Sequence, residues 1–98
     1  MSVTKEDMLS LITERAKGRI KGSVRLDMTD LAVIYVDETG AVESDQEADI
    51  TLMAKAKVFH DIATGEQNPA TAFLMRKLTV DGNPMRALKI GEVLSASE

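Results

Sequence analysis

The chain has 98 residues, 44% hydrophobic and 29% charged, a balance that builds one small folded domain and excludes a disordered chain. Its net charge is −4, with six basic and eleven acidic residues in 1–49, so no basic footprint for nucleic acid exists. Cysteine is absent, which removes disulfides and thiolate chemistry, and no apolar run approaches the roughly 18 residues of a membrane span.

Thr4-Lys5-Glu6-Asp7 has the pattern of a capping box, and Met8, Leu9, Ile12 and Ala16 then recur at helical spacing. A first amphipathic helix is predicted over residues 5–17, stopped by Gly18. From Ser23 to Met28 apolar and polar residues alternate strictly, which indicates a strand covered on one face. After a Thr29-Asp30 turn, Ala32 to Val36 is an unbroken apolar run suited to a strand buried on both sides or lying under the first helix. Glu38-Thr39-Gly40 turns the chain into a short returning strand, 41–43. Ala48, Ile50 and Leu52 then alternate with Asp49, Thr51 and Met53 in another one-faced strand.

The helical period returns at Val58, Phe59, Ile62 and Ala63, closed by Gly65. Asn68-Pro69 and Asn83-Pro84 each place a cap before a proline at the first helical position, where the missing N–H costs nothing. Between these two starts, 78–82 is a strand with two inward residues. In the last helix Ala87, Leu88, Gly91 and Leu94 share a face, unless Gly91 ends it and leaves 92–98 as a tail. The order is α-β-β-β-β-α-α-β-α, which is the α+β class with an antiparallel-rich sheet and helices largely on one face.

The chain offers no set of groups for catalysis. His60 lies far from the apolar stripe of its helix and faces water, and Asp61, one residue on, does not face it. The acids Asp37, Glu38, Glu43, Asp45, Glu47 and Asp49 lack the glycine and spacing of a calcium loop, and form a solvated hairpin edge. No metal and no cofactor is expected. Five methionines, Met8, Met28, Met53, Met75 and Met85, fall beside or inside apolar stripes, where flexible side chains fill irregular cores or adaptable pockets.

The stretch 69–77 raises a separate question. Ala70, Ala72, Phe73, Leu74 and Met75 point in almost every direction around a helix, leaving a polar sector near Thr71 and Arg76. Such a helix is either sandwiched in the core or lines, on one side, a cavity that holds a lipid.

The ordered pattern over 22–94 resembles the sterol carrier protein 2 family of small sterol- and lipid-binding domains. The resemblance is carried by the strand from Gly22 to Met28, the strand Ala48-Asp-Ile-Thr-Leu, and Phe59 six residues before Gly65. Asn68-Pro69 with Ala72-Phe73, the segment Lys77 to Gly82, and Ala87-Leu-Lys-Ile complete it. It implies a five-stranded, antiparallel-rich mixed sheet with helices packed on one face, enclosing an apolar tunnel for fatty acyl chains, acyl-CoA or sterols. Two positions depart from the pattern: Arg76 replaces the usual small residue before the lysine, and Tyr35 stands where tryptophan is frequent. These departures, with no peroxisomal terminus at SASE, favour a generic lipid chain over sterol as ligand.

The expected function is therefore non-enzymatic binding, with intracellular transfer, of a fatty acid, acyl-CoA or sterol-like lipid. Ten inward residues are the expected lining: Leu26, Met28, Phe59, Ile62 and Phe73, with Leu74, Met75, Val80, Met85 and Leu88. Arg76 and Lys77 meet a carboxylate or phosphate headgroup, unless they are only solvated cations at a helix C-terminus. An empty apolar void of about 300 Å³ would cost roughly 7 kcal/mol, so such a space should be filled by ligand or collapse. The rival reading is a protein-interaction module that dimerises or docks on an enzyme, since domains of this family also occur fused to enzymes. Expected partners are a lipid or fatty-acyl ligand, transient membrane contact, and a homodimer or partner enzyme. With no signal peptide in MSVTKEDM, the expected location is the cytoplasm.

Overall fold

In a computed structural model describing residues 4–95, the chain changes period from helix to sheet and back where its apolar pattern does. Helix α1 spans Lys5–Ala16 and opens on the capping box: the Thr4 hydroxyl accepts from Asp7 N at 3.1 Å, and Thr4 N donates back to the Asp7 carboxylate. Its buried stripe is Met8, Ile12 and Ala16. Strands β1 (Ser23–Met28), β2 (Ala32–Asp37), β3 (Gly40–Glu43) and β4 (Ile50–Ala54) follow. Helices α2 (Ala56–Thr64) and α3 (Pro69–Leu74), strand β5 (Thr79–Asp81) and helix α4 (Pro84–Leu94) complete the order.

The sheet runs β3-β2-β1-β4-β5, parallel between β1 and β4 and antiparallel elsewhere. Register carries the apolar alternation of each strand into rows across the sheet. One row is Val36, Val24 and Ile50; the next is Ile34, Leu26, Leu52 and Val80; the third is Ala32, Met28 and Ala54. Apart from half-buried Ala32, these rows and the inward faces of the helices form one continuous apolar core. Helix α1 sits over β2 and β3, where the Thr13 hydroxyl accepts from Ala41 N at 3.2 Å. The same hydroxyl-bearing side chain closes over Gly40, whose φ of 129° and close approach both suit glycine.

Parallel pairing of β1 with β4 forces residues 44–49 to cross the sheet on the face away from the helices. There Arg25 donates to Asp45 O at 3.2 Å. Ser23 and Asp49 exchange two hydrogen bonds, at 3.0 and 3.3 Å, that fix the start of β4. The acidic run is thus a crossover as well as a hairpin edge. Glu43 pairs with Lys5 at 3.1 Å and Asp49 stands 3.8 Å from Arg86.

Of the two placements expected for β2, the structure has the one under α1: Ile34 and Val36 are buried, and Val33 and Tyr35 on the other face are half-buried. Three local expectations are corrected. β4 is not one-faced, because Thr51, flanked by Arg25 of β1 and Asp81 of β5, is also buried. α3 ends at Leu74, so the apolar helix is six residues long rather than reaching position 77. In α4 the buried face is Ala87, Ile90, Gly91 and Leu94, leaving Leu88 half-buried. Gly91 lies inside the helix because α3 crosses it closely: a Cβ there would come within 2.7 Å of Pro69 Cβ. No described helix is long and apolar enough to cross a membrane.

Candidate functional site

The ten apolar residues expected to line one cavity separate into three depths. Leu26, Met28, Phe59 and Ile62 are deeply buried between the sheet and α2, and all four belong to the continuous core. Val80 is half-buried and packed against that core, while Phe73 and Leu88 are half-buried on α3 and α4. The inward placement expected for Leu74, Met75 and Met85 is corrected: they are 79%, 60% and 78% exposed. The cause is helix length. In one and a half turns, α3 presents Pro69 and Ala72 to the core at i and i+3, which turns Leu74 and Met75 to the surface. Met85 occupies the first turn of α4 beside the Asn83 cap, before the buried stripe begins at Ala87.

A groove of about 400 Å³ opens at the end of the sheet where β1 and β4 stop. Ala54, a core residue, and Val58, packed against the core, join it to the interior, and Met53, Thr29 and Thr79 complete the uncharged lining. Three cations, Lys55, Arg76 and Lys77, stand on its rim. Among the described residues none of the three has an ion-pair partner. The nearest acid along the chain is Asp30, whose carboxylate accepts from Ala56 N at 2.9 Å and so caps the start of α2. The groove can take the polar end of an anionic amphiphile while its uncharged lining meets the apolar portion.

Arg76 is held there by an unusual backbone. Lys77 N donates to Ala72 O at 2.9 Å and Arg76 N to Phe73 O at 3.1 Å, the bond pair of a Schellman helix end. That ending needs a left-handed residue, and Arg76 supplies it with φ of 63°, the one described non-glycine with positive φ. Helix α2 closes by the same pair of bonds, from Gly65 and Glu66, but there the left-handed residue is glycine. A left-handed residue is a common way to end a helix, and here it is an exposed arginine rather than the usual glycine.

His60 is partly exposed on α2, and its Nδ1 lies 3.7 Å from Asp61 Oδ1, too far for a hydrogen bond. The expectation that adjacent helical side chains diverge is corrected to that extent. Asp61 is engaged instead by Lys57 at 2.8 Å, an i, i+4 pair. That hydrogen bond holds the Asp61 carboxyl below its ordinary value, against burial, which raises it. Among the described residues no group of three or more acids and histidines gathers to hold a metal.

Of the groove residues, Arg76 and Lys77 were legible in the sequence as headgroup candidates; Thr29, Met53, Ala54, Lys55, Val58 and Thr79 were not. Their signal is the parallel register that brings Met28 beside Ala54 and lets Thr29 N donate to Ala54 O at 3.0 Å. No periodicity within a single segment carries that information.

Comparison with known proteins decides the family. The SCP-2 sterol transfer family matches residues 12–95, nearly the whole described chain. The chain belongs to this family. Its fold is also that of solved SCP-2 structures. One is sterol carrier protein 2 from Yarrowia lipolytica in its apo form, with TM-score 0.69 and 20% identity over 90% of this chain and 87% of that one. Another is sterol carrier protein 2 from Aedes aegypti in complex with the fatty acid palmitate, with TM-score 0.76 and 21% identity over 96% of both chains. The same fold forms part of a larger enzyme, the stereoselective inverting sec-alkylsulfatase Pisa1 from Pseudomonas sp. It shares 16% identity and TM-score 0.68 over 98% of this chain but 17% of that one. No curated protein sequence matches the chain. The SCP-2 match spans every strand of the sheet and all of α2, α3 and α4, so the apolar layer described above lies within the family region.

Proposed function

We propose that this chain is a single lipid-binding domain that takes up one fatty acyl or sterol-like molecule between its sheet and helices and transfers it. The observation that carries this reading is the SCP-2 sterol transfer match over 12–95, the region that contains the apolar layer. In this reading Leu26, Met28, Phe59 and Ile62 form the deep end of the site. Phe73, Val80 and Leu88 form its wall and Leu74 and Met75 its mouth, while Met85, beside Arg86 at the Asp49 end of the sheet, stands apart from it. The palmitate held by the Aedes aegypti protein supports an acyl chain as the ligand class. Arg76 and Lys77, joined by Lys55, take its carboxylate or phosphate end.

The energetic logic is that of an interior that opens only for a ligand. Each methylene moved from water into the layer contributes about 0.8 kcal/mol, which offsets the separation of α3 and α4 from the sheet. Met28 can change rotamer at little cost as the space fills. We assign no catalytic step to the chain, because among the described residues His60 has no hydrogen-bonded partner to orient it as a base. The cytoplasm is the proposed location. The rival reading, a module that docks on an enzyme or on a second copy, draws support from the sulfatase architecture alone.

Titration with palmitate, read by displacement of a fluorescent fatty acid and by thermal unfolding, tests the proposal. Saturable binding is expected, with stability raised by about 2.7 kcal/mol at 100 times Kd. No displacement and no thermal shift would overturn it.

A further inference from the structure

Two of the four large apolar residues left exposed among the described residues, Leu74 and Met75, stand directly beside cations that have no ion-pair partner among those residues. Leu74 and Met75, both mostly exposed, are followed directly by Arg76 and Lys77, and Lys55 stands across the groove from them. Adjacent large apolar side chains turned to water are uncommon on a closed small domain, and such patches mark interaction surfaces. The Schellman ending of α3 explains how they are presented. It stops the helix at Leu74 and reverses the chain through Arg76, so the two apolar residues project at the corner and the two cations follow on its flank.

Charge elsewhere gives this surface a direction. Lys55 follows Ala54, which pairs with Met28 at the far end of β1, and the three rim cations gather at that end. Asp37 pairs with Ser23 at the opposite end of β1, and Asp49 is hydrogen-bonded to the same Ser23. Glu38 lies beside Asp37 in the hairpin turn. The ends are separated by the six residues of β1, roughly 17 Å at about 3.3 Å per residue. Asp27, register-paired with Met53, and Asp30, the cap of α2, also lie at the end of the three rim cations, and Arg86 stands 3.8 Å from Asp49 at the other, so the balance is modestly cationic at the apolar corner and acidic away from it. An anionic surface attracts the first and repels the second.

We propose that the corner formed by Leu74, Met75, Arg76, Lys77 and Lys55 docks on the surface of an anionic lipid bilayer. Leu74 and Met75 sink into the headgroup–acyl boundary while the three cations meet lipid phosphates and carboxylates above it. A partner of this chemistry fits both halves of the patch, since short apolar wedges flanked by cations need an apolar layer beneath a negative one. The groove opens beside the wedge, so a lipid headgroup leaving the bilayer passes the cationic rim at once. The docking surface stands apart from the question of whether the interior holds a lipid.

Cosedimentation of the full chain with vesicles tests the inference. Vesicles of phosphatidylcholine alone and of phosphatidylcholine mixed with phosphatidylserine are compared, with thermal melts confirming that each variant is folded. Wild-type protein should pellet with the anionic vesicles, lose binding in high salt, and ignore the neutral ones. Each rim cation should contribute about 5-fold, so Lys55→Gln, Arg76→Gln and Lys77→Gln together weaken binding on the order of 100-fold. Leu74→Ser with Met75→Ser should weaken it at least tenfold, and Val42→Ser, another exposed apolar residue, should leave it unchanged. No preference for anionic vesicles, or wild-type binding by the Leu74→Ser, Met75→Ser variant, would overturn the proposal. So would self-association that the same substitutions abolish in the absence of any vesicle binding. Palmitate binding without vesicles is measured in parallel on wild-type protein: its failure alone removes the lipid-cavity reading and leaves the docking surface standing.

Discussion

Replacing Arg76 by glycine should make the protein more stable while removing a charge from its candidate site. A left-handed backbone costs a residue with a Cβ roughly 1–2 kcal/mol, and Arg76 holds φ at 63°. Glycine avoids that cost but gives back about 0.4–1 kcal/mol through the greater freedom of the unfolded chain. The arginine side chain is exposed, with no ion pair among the described residues, so its loss removes little packing. The net gain for Arg76→Gly is then about 0.5–1 kcal/mol, or roughly 2–6 °C in Tm for a domain of this size. Arg76→Ala is the control, because it deletes the same charge yet keeps the Cβ. It should melt within about 0.5 kcal/mol of the wild type. Urea and thermal unfolding of the three proteins at equal concentration give the comparison. If Arg76→Gly proved no more stable than Arg76→Ala, the left-handed strain at the end of α3 would be refuted. A more stable protein with weaker binding to anionic vesicles would show that arginine is kept there for the surface rather than for the fold.

Three further outcomes follow from the packing and electrostatics. Gly91→Ala should destabilise by about 1–2 kcal/mol despite alanine's better helix propensity, because the new methyl would meet Pro69 at 2.7 Å; denaturant midpoints decide the sign. Asn83→Ala should cost about 1 kcal/mol in the same assay, since the Asn83 amide oxygen accepts from both Met85 N and Arg86 N at the start of α4. Asp61 is held below the ordinary value of 3.8, first by its hydrogen bond from Lys57. The stability it contributes is therefore complete above the unfolded value and lost as pH falls through the lower folded one. Asp61→Asn should flatten the acid limb of a stability–pH curve below about pH 4, and an unchanged limb would show that the Lys57 pair is irrelevant to folding.

Much of the fold was legible because its signals are local. The capping box at Thr4, the alternation from Ser23 to Met28 and the two Asn-Pro starts lie within single segments, and each became the element it suggested. What escaped depends on neighbours that no segment contains. Thr51 is buried between strands on either side of β4, and glycine at 91 is required by the close approach of α3. The candidate site divides in the same way. Leu26, Met28, Phe59 and Ile62 follow strong periodic stripes and are deeply buried. Leu74 and Met75 were read on a helix long enough to wrap around, but α3 stops after six residues and turns them outward. Arg76 was read as a departure from the family pattern, but its left-handed φ depends on where α3 ends and no periodicity carries that.

The central claim is that an acyl chain lies between the sheet and the helices. Methyl NMR of the protein with bound palmitate addresses it most directly, by intermolecular contacts between the ligand's methylenes and individual side chains. Contacts to the methyl groups of Leu26, Met28 and Ile62, buried when no ligand is present, are the predicted result. Saturating palmitate that touched only surface methyls such as Val42, or left those three unperturbed, would contradict the account.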